Sequence, residues 1–337
     1  MNTARLDYIN IGLMLLSAIG ALIIPFELFL FSFIVLGPLH YMTEIGWLKE
    51  RDFFLPHKRD YWILAGLCFF TGFLYLLFEF FDLAIGNSLA AYVGGENIEM
   101  LKRWIPSLTF LAFVAALGIV FFEKWLPRVV IILLGLGLAF ALEELPWYMV
   151  IFGIFIPTVI HTTLFTGAFI LLGALKNKSL TGYLSFAVFV FCSGIFFFLQ
   201  MNIGGYIIPK GVQDIFLKGE FYSINYNLYL LLYPNAESKL VLDSPIGLQI
   251  QGFIAFAYTY HYLNWFSKTD VIKWHQVPRT WLIATVVVWI GGMLLYLYDI
   301  RLGLAALIFI SLLHVFLEFP LNHRSFGGIF GELRKRF

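Results

Sequence analysis

The sequence predicts an all-α protein, a polytopic integral membrane helical bundle of about ten transmembrane helices. Three observations predict it. Of 337 residues, 61% are hydrophobic and only 13% are charged, whereas a soluble domain carries roughly a quarter charged. So few charges cannot coat a water-facing surface of this size. The mean hydropathy is +0.85, and apolar runs of about 20 residues recur, the length that crosses a hydrocarbon core of about 30 Å at 1.5 Å per residue. The period-two alternation of a membrane barrel is missing.

Apolar windows bounded by proline, charge or glycine begin near Asp7, Phe26, Tyr61, Trp104, Arg128, Trp147, Leu180, Ile246, Thr280 and Leu302. The first follows MNTARLDYINIGL, which has one arginine and no small-residue cleavage pattern, and it continues almost directly into the second. It is read as a retained helix, not a signal peptide. The third window opens after Lys58, Arg59 and Asp60, the fourth after Lys102 and Arg103, and the sixth at Pro146 after Glu143 and Glu144. The seventh follows Lys176 and Lys178, the eighth opens at Pro245, the ninth follows Pro278 and the tenth follows Arg301.

Basic residues set the orientation, because the positive-inside bias acts on short loops near helix ends. One side holds Arg5, Lys49, Arg51, Lys58, Arg59, Lys124, Arg128, Lys176, Lys178, Lys268, Lys273, Arg279, Arg324, Arg334, Lys335 and Arg336. The other holds Lys102, Arg103, Lys210, Lys218, Lys239 and Arg301. The larger group is expected inside, which places both termini in the cytoplasm. Adding or dropping one span would invert every later loop and spoil this asymmetry. The chain is expected to be one transmembrane domain, residues 1–337, of the kind found in a bacterial inner membrane. Two outer connections are long, Asp82 to Arg103 and about 201–244. The second contains YNLYLLLYP at Tyr226 to Pro234, too short to span and expected as an interfacial piece, a lid or an ordinary loop. No internal repeat argues for a transporter with inverted halves.

The net charge of +1 and the lack of a basic stripe exclude nucleic acid as a partner. Cys68 and Cys192 lie inside apolar runs and read as buried thiols rather than a disulfide.

Ionisable groups inside lipid are costly unless paired or used. Four histidines fall within spans: His40, His161, His261 and His314. All lie on even-numbered helices, which run from outside to inside in this topology. His40, His261 and His314 lie about two turns, roughly 10 to 12 Å, from the cytoplasmic boundary. His161 is about four turns in unless its long segment is tilted or bent at Pro157. Imidazoles converging at one depth from several helices make an all-nitrogen metal site. The alternative is that each histidine hydrogen-bonds a neighbouring helix.

Glu44 follows His40 by four residues and Glu318 follows His314 by four, so each carboxylate shares its histidine's face one turn on. Each is expected to orient a ligand or carry protons, or else to reach interfacial water. Tyr258, Tyr260, Tyr262 and Asn264 offer partners around His261. His57, His275 and His323 are expected in exposed cytoplasmic connections, with His323 an outside candidate ligand. A two-haem electron-transfer bundle would need ligand pairs near both faces, and these histidines cluster in one half. One b-type haem is a lesser alternative. Glu27, Glu79, Glu143 and Glu144 sit near the far boundary.

The chain has 38 phenylalanines, with runs at Phe69 to Phe81 and Gly194 to Gln200, so a cavity within it would be apolar and aromatic-lined. Such a site suits a hydrophobic molecule arriving through membrane lipid, such as an isoprenoid, quinone, sterol or fatty chain.

The pattern resembles the Brp/Blh family of bacterial membrane carotene dioxygenases. These are multi-span proteins whose intramembrane histidines are thought to hold a non-haem iron that cleaves β-carotene to retinal. That family has a histidine in an early helix within a Gly-x-Pro-His-Gly-like turn. Gly37, Pro38 and His40 stand in a comparable setting, with Leu39 intervening and Tyr41 in place of the second glycine. A later histidine pair spaced by four is expected there, and here His261 has Trp265 at that spacing. The resemblance implies iron chemistry on a carotenoid and carries over His40 as a ligand.

The sequence thus points to a membrane metalloprotein. Its metal ligands would be His40, His161, His261 and His314, with Glu44 and Glu318 assisting catalysis. The metal would be iron, or alternatively zinc or copper, and the activity oxidoreduction of a hydrophobic substrate. The competing readings are a proton-coupled transporter or channel using His and Glu, a b-haem protein, and a structural subunit. The sequence sets no oligomeric state.

Overall fold

The computed structural model describes residues 3–85, 95–199, 205–235, 239–268 and 277–336, with the backbone alone at 79–85 and 95–100. The described residues are helical, with no strand among them. In chain order the helices are α1 (Thr3–Ile23), α2 (Pro25–Lys49), α3 (Tyr61–Ile85), α4 (Gly95–Phe121), α5 (Trp125–Leu142) and α6 (Pro146–Asn177). They continue with α7 (Leu180–Phe198), α8 (Lys210–Lys218), α9 (Tyr222–Leu232), α10 (Pro245–Ser267), α11 (Arg279–Tyr298) and α12 (Ile300–Arg334).

Every expected apolar window forms a helix. Nine helices among the described residues are long and apolar enough to cross a membrane: α1 to α7, α11 and α12. The eighth window, α10, is 23 residues long but is not among them, because Gln249, Gln251, His261 and Asn264 dilute its hydropathy. Its side chains are used inward instead, with an unbroken buried run from Ile250 to Tyr262. Elsewhere large apolar side chains lie open on helix surfaces, among them Leu16 and Ile19 on α1 and Leu133 and Leu134 on α5. Water penalises such rows and hydrocarbon does not.

Two helices depart from α geometry. In α2, Ser32–Leu36 is wound as a π-helix, and in α6 so is Ile151–Phe165. Both stretches are associated with a proline, Pro38 just after the first and Pro157 inside the second. Proline has no N–H to close the ladder, so a carbonyl one turn earlier is left to other donors. Around Pro157, Gly153 O accepts the Tyr75 hydroxyl at 3.3 Å. In the first widened stretch, Val35 O accepts the Trp289 indole N–H at 2.7 Å.

The chain divides into two compact units. The first comprises Met1–His40, Val159–Arg301 and Phe326–Phe337. Here α10 packs against α1, α2, α7 and α9, and the packing is tied by polar side chains. The Ser32 and Thr259 hydroxyls share a hydrogen bond of 2.7 Å. Asn225 Nδ2 donates to Gln251 Oε1 at 2.8 Å, and Gln251 Nε2 donates to Pro25 O at 3.2 Å. Gly252 permits the closest approach: a Cβ there would lie 2.8 Å from a Phe196 ring carbon and 3.3 Å from Ala21 O.

The long connection expected at about 201–244 is structured where it is described, as α8 and α9. The segment around Tyr226 is the helix α9, too short to span, as expected, and joined to α10 through Asn225. The first long connection, expected from Asp82 to Arg103, is shorter than expected: α3 runs on to Ile85 and α4 begins at Gly95, and residues 86–94 lie outside the described residues.

The second unit comprises Tyr41–Thr158 and Leu302–Ser325. In it α4 packs on α3 and α5. Arg128 is buried rather than placed in an open loop. It donates to Asp60 Oδ2 at 2.9 Å and to Phe122 O and Ile119 O, which satisfies carbonyls at the end of α4. Glu144 pairs with Arg103. Cys68 and Cys192 are buried free thiols, as expected.

Candidate metal centre

Three of the four predicted histidines meet in the first unit. His40 comes from α2 just beyond its widened stretch, His161 from the widened stretch of α6, and His261 from α10. All three are buried, at 1%, 2% and 6% exposure, on helices that arrive from distant parts of the chain.

The rings are in contact. The centroids of His40 and His261 are 4.7 Å apart, and those of His161 and His261 are also 4.7 Å apart. One ring nitrogen of His40 and one of His161 lie within 4.8 Å of each other. Nε2 of His40 and Nε2 of His261 face each other at 3.1 Å. Two imidazole nitrogens bound to one ion at about 2.0–2.1 Å would stand roughly 2.9 Å apart at a right angle and roughly 3.4 Å apart at the tetrahedral angle. The observed separation falls between those limits. It also suits an N–H···N hydrogen bond between the rings, so these two imidazoles are placed for either use.

The far side of His261 is fixed. Its Nδ1 lies 2.8 Å from Thr166 Oγ1, a hydroxyl only 1% exposed. With Nδ1–H donating to that oxygen, Nε2 keeps its lone pair and turns it toward His40, the tautomer a metal ligand needs. Sequence reading missed Thr166. The signal was its spacing of five residues from His161, which an α-helix does not bring to one face and a widened turn does.

The wall of the cluster is aromatic. Tyr262 and Trp265 stand 4.9 and 5.7 Å from the His40 ring, so Trp265 packs on a histidine at the position where the resemblance expected a second one. Tyr260 is turned away, donating to Asn10 Oδ1 at 3.4 Å, and Tyr258 packs on Phe29 at 5.2 Å.

The second unit carries the remaining predicted residues. His314 is 3% exposed and its ring stacks on Tyr41 at 4.3 Å, 23° from parallel. Glu44 and Glu318 are both 2% exposed. They follow Tyr41 and His314 by one helical turn. His323 is not exposed, as sequence position suggested, but buried on α12, where Nε2–H donates to Phe113 O at 2.9 Å. His57 is exposed, as expected, and His275 lies outside the described residues. Near the other end Glu27 accepts the Tyr206 hydroxyl at 2.7 Å, and burial together with that carboxylate pushes the Tyr206 phenol up.

No family model, curated protein or solved structure matches this chain. The chemistry of the cluster therefore carries the functional reading. Buried imidazoles of this kind suit zinc, copper, iron or nickel, and two of the helices that present them, α2 and α6, are apolar enough for a membrane.

Proposed function

We propose that this is an integral-membrane metalloprotein in which His40, His161, His261 and His314 hold a metal ion and that it acts as an oxidoreductase on a hydrophobic substrate. The contact of three buried imidazoles in the first unit, with His261 oriented by Thr166, carries the reading. His314 enters on its sequence position, two turns from the same expected boundary as His40 and His261. Iron is the proposed metal, with zinc and copper as alternatives, and an iron ion when bound would supply the redox chemistry that imidazole alone lacks. Glu44 and Glu318, buried one turn beyond Tyr41 and His314, are proposed as orienting or proton-carrying groups. The substrate is proposed to be an isoprenoid, carotenoid or other lipid, in line with the resemblance to the carotene dioxygenases and with the Tyr262 and Trp265 rings beside His40. The proposed setting is a bacterial inner membrane with both termini in the cytoplasm.

Elemental analysis of the purified protein tests this. Stoichiometric metal, lost in His40→Ala, His161→Ala, His261→Ala and His314→Ala, is the expected result. A metal-free preparation that carries proton-coupled flux would establish the transporter reading in its place, and a Soret band would establish haem. Lipid extracts of cells with and without the protein then identify the substrate class by what is missing or altered.

A further inference from the structure

The polar residues of α12 in the second unit form a stripe. His314, Glu318, Asn322 and Ser325 follow one another at intervals of four, four and three residues, which places them along one face of an α-helix. They are 3%, 2%, 1% and 2% exposed. Asn322 is the telling member. Its side chain is wholly enclosed, yet neither Oδ1 nor Nδ2 finds a hydrogen-bond partner among the described residues. Burying an amide with nothing bonded to it costs on the order of 1–3 kcal/mol or more. Natural proteins meet that cost with ordered water, which needs two to four polar partners. A carboxylate one turn before and a hydroxyl one turn after supply those partners.

The stripe also has an open end and a closed one. Arg324, two residues beyond Asn322, is exposed, so bulk solvent comes close to the Asn322 end. In the other direction the helix from Leu302 to Ile310 contains no ionisable or hydroxyl side chain. Arg324 lies ten residues along the helix from His314, about 15 Å.

We propose that this face of α12 lines a dead-ended, water-filled path that enters beside Asn322 and delivers protons to Glu318. The path deepens the proposed function by giving one of its buried acid–base groups a supply of protons. It does not depend on a metal being bound, and the run from Leu302 to Ile310, without ionisable or hydroxyl side chains, makes it an inlet rather than a channel.

Substituted-cysteine labelling tests it. In a background with Cys68→Ala and Cys192→Ala, single variants Asn322→Cys, Glu318→Cys and Ser325→Cys are reacted with a membrane-impermeant methanethiosulfonate. Phe316→Cys, at a position 0% exposed and off the stripe, serves as the dry control. The stripe cysteines are expected to react at least tenfold faster than the control. Ser325→Cys exchanges only oxygen for sulfur and keeps the test decisive if the other variants fail to fold. Labelling of the stripe positions as slow as at Phe316→Cys would overturn the proposal whether or not the protein holds metal.

Discussion

Replacing Thr166 with valine removes one hydroxyl from the histidine cluster while keeping nearly the same volume. That hydroxyl is 2.8 Å from Nδ1 of His261, and both residues are buried, at 1% and 6% exposure, so water cannot replace it. The stranded ring N–H costs about 1–3 kcal/mol by the general figure for a buried unsatisfied group. Side-chain hydrogen bonds within membrane bundles average nearer 0.6 kcal/mol, which sets the lower end for stability. Metal affinity is the sharper measure. Loss of a group that orients a ligating imidazole typically weakens binding about 10–100-fold, equal to about 1.4–2.8 kcal/mol at 1.4 kcal/mol per decade. The assay is competition against a chromophoric chelator, with the cobalt-substituted spectrum reporting ligand geometry. Thr166→Ser, which keeps the oxygen, should restore most of the affinity, whereas a packing defect would not be rescued. Wild-type affinity and an unchanged spectrum in the valine variant would refute the assignment of Thr166 as the positioning residue for His261.

Arg128→Ala strands Asp60 and frees two helix-end carbonyls. Since the two side chains of the pair are 11% and 7% exposed, a loss of about 3–5 kcal/mol is expected, read as a shift in the detergent denaturation midpoint. Gly252→Ala places a methyl group 2.8 Å from the Phe196 ring. Overpacking of that kind should cost about 1–3 kcal/mol, visible as a lower Tm in detergent, while Gly137→Ala, where a Cβ meets nothing within 4 Å, should be neutral or stabilising. The Tyr206 phenol is pushed up in the folded protein by burial and by Glu27, so above the ordinary tyrosine value of about 10 the folded state holds a proton that the unfolded state has released. Stability should therefore fall as pH rises through that range. Tyr206→Phe should remove this part of the alkaline loss in a pH-dependent unfolding series.

Much of the helical architecture was legible in the sequence because lipid-length apolar runs leave little freedom in how they fold. The ten windows all became helices, and most starts fell at the expected prolines and charges, but α4 begins at Gly95 and runs through Lys102 and Arg103, which were expected to precede it. What hydropathy could not convey was the character of α10. A run containing Gln251, His261 and Asn264 looks like a weak span, and only the structure shows those side chains used against α9, α2 and α6. The histidines were visible because an imidazole within an apolar run is expensive and therefore conspicuous. Thr166 was not, since a threonine in such a run usually bonds its own helix, as Thr163 does with Val159 O. The widened winding of α6 was equally hidden, and with it the spacing that brings His161 and Thr166 to one ring. His323 was misread because it was assigned to a connection, whereas α12 runs on to Arg334, and a step of one residue separates exposed Arg324 from a histidine bonded to Phe113 O.

The inward commitment of α10 bears on biogenesis. A helix whose glutamine, asparagine and histidine all need protein partners gains little by entering lipid alone, so a translocon that sorts segments by hydropathy would release it reluctantly. The helices that enclose it within its unit, α1, α2, α7 and α9, all precede it in the chain. Vectorial synthesis therefore makes these partners of α10 available before it emerges, and the imidazole it carries is made after those of His40 and His161.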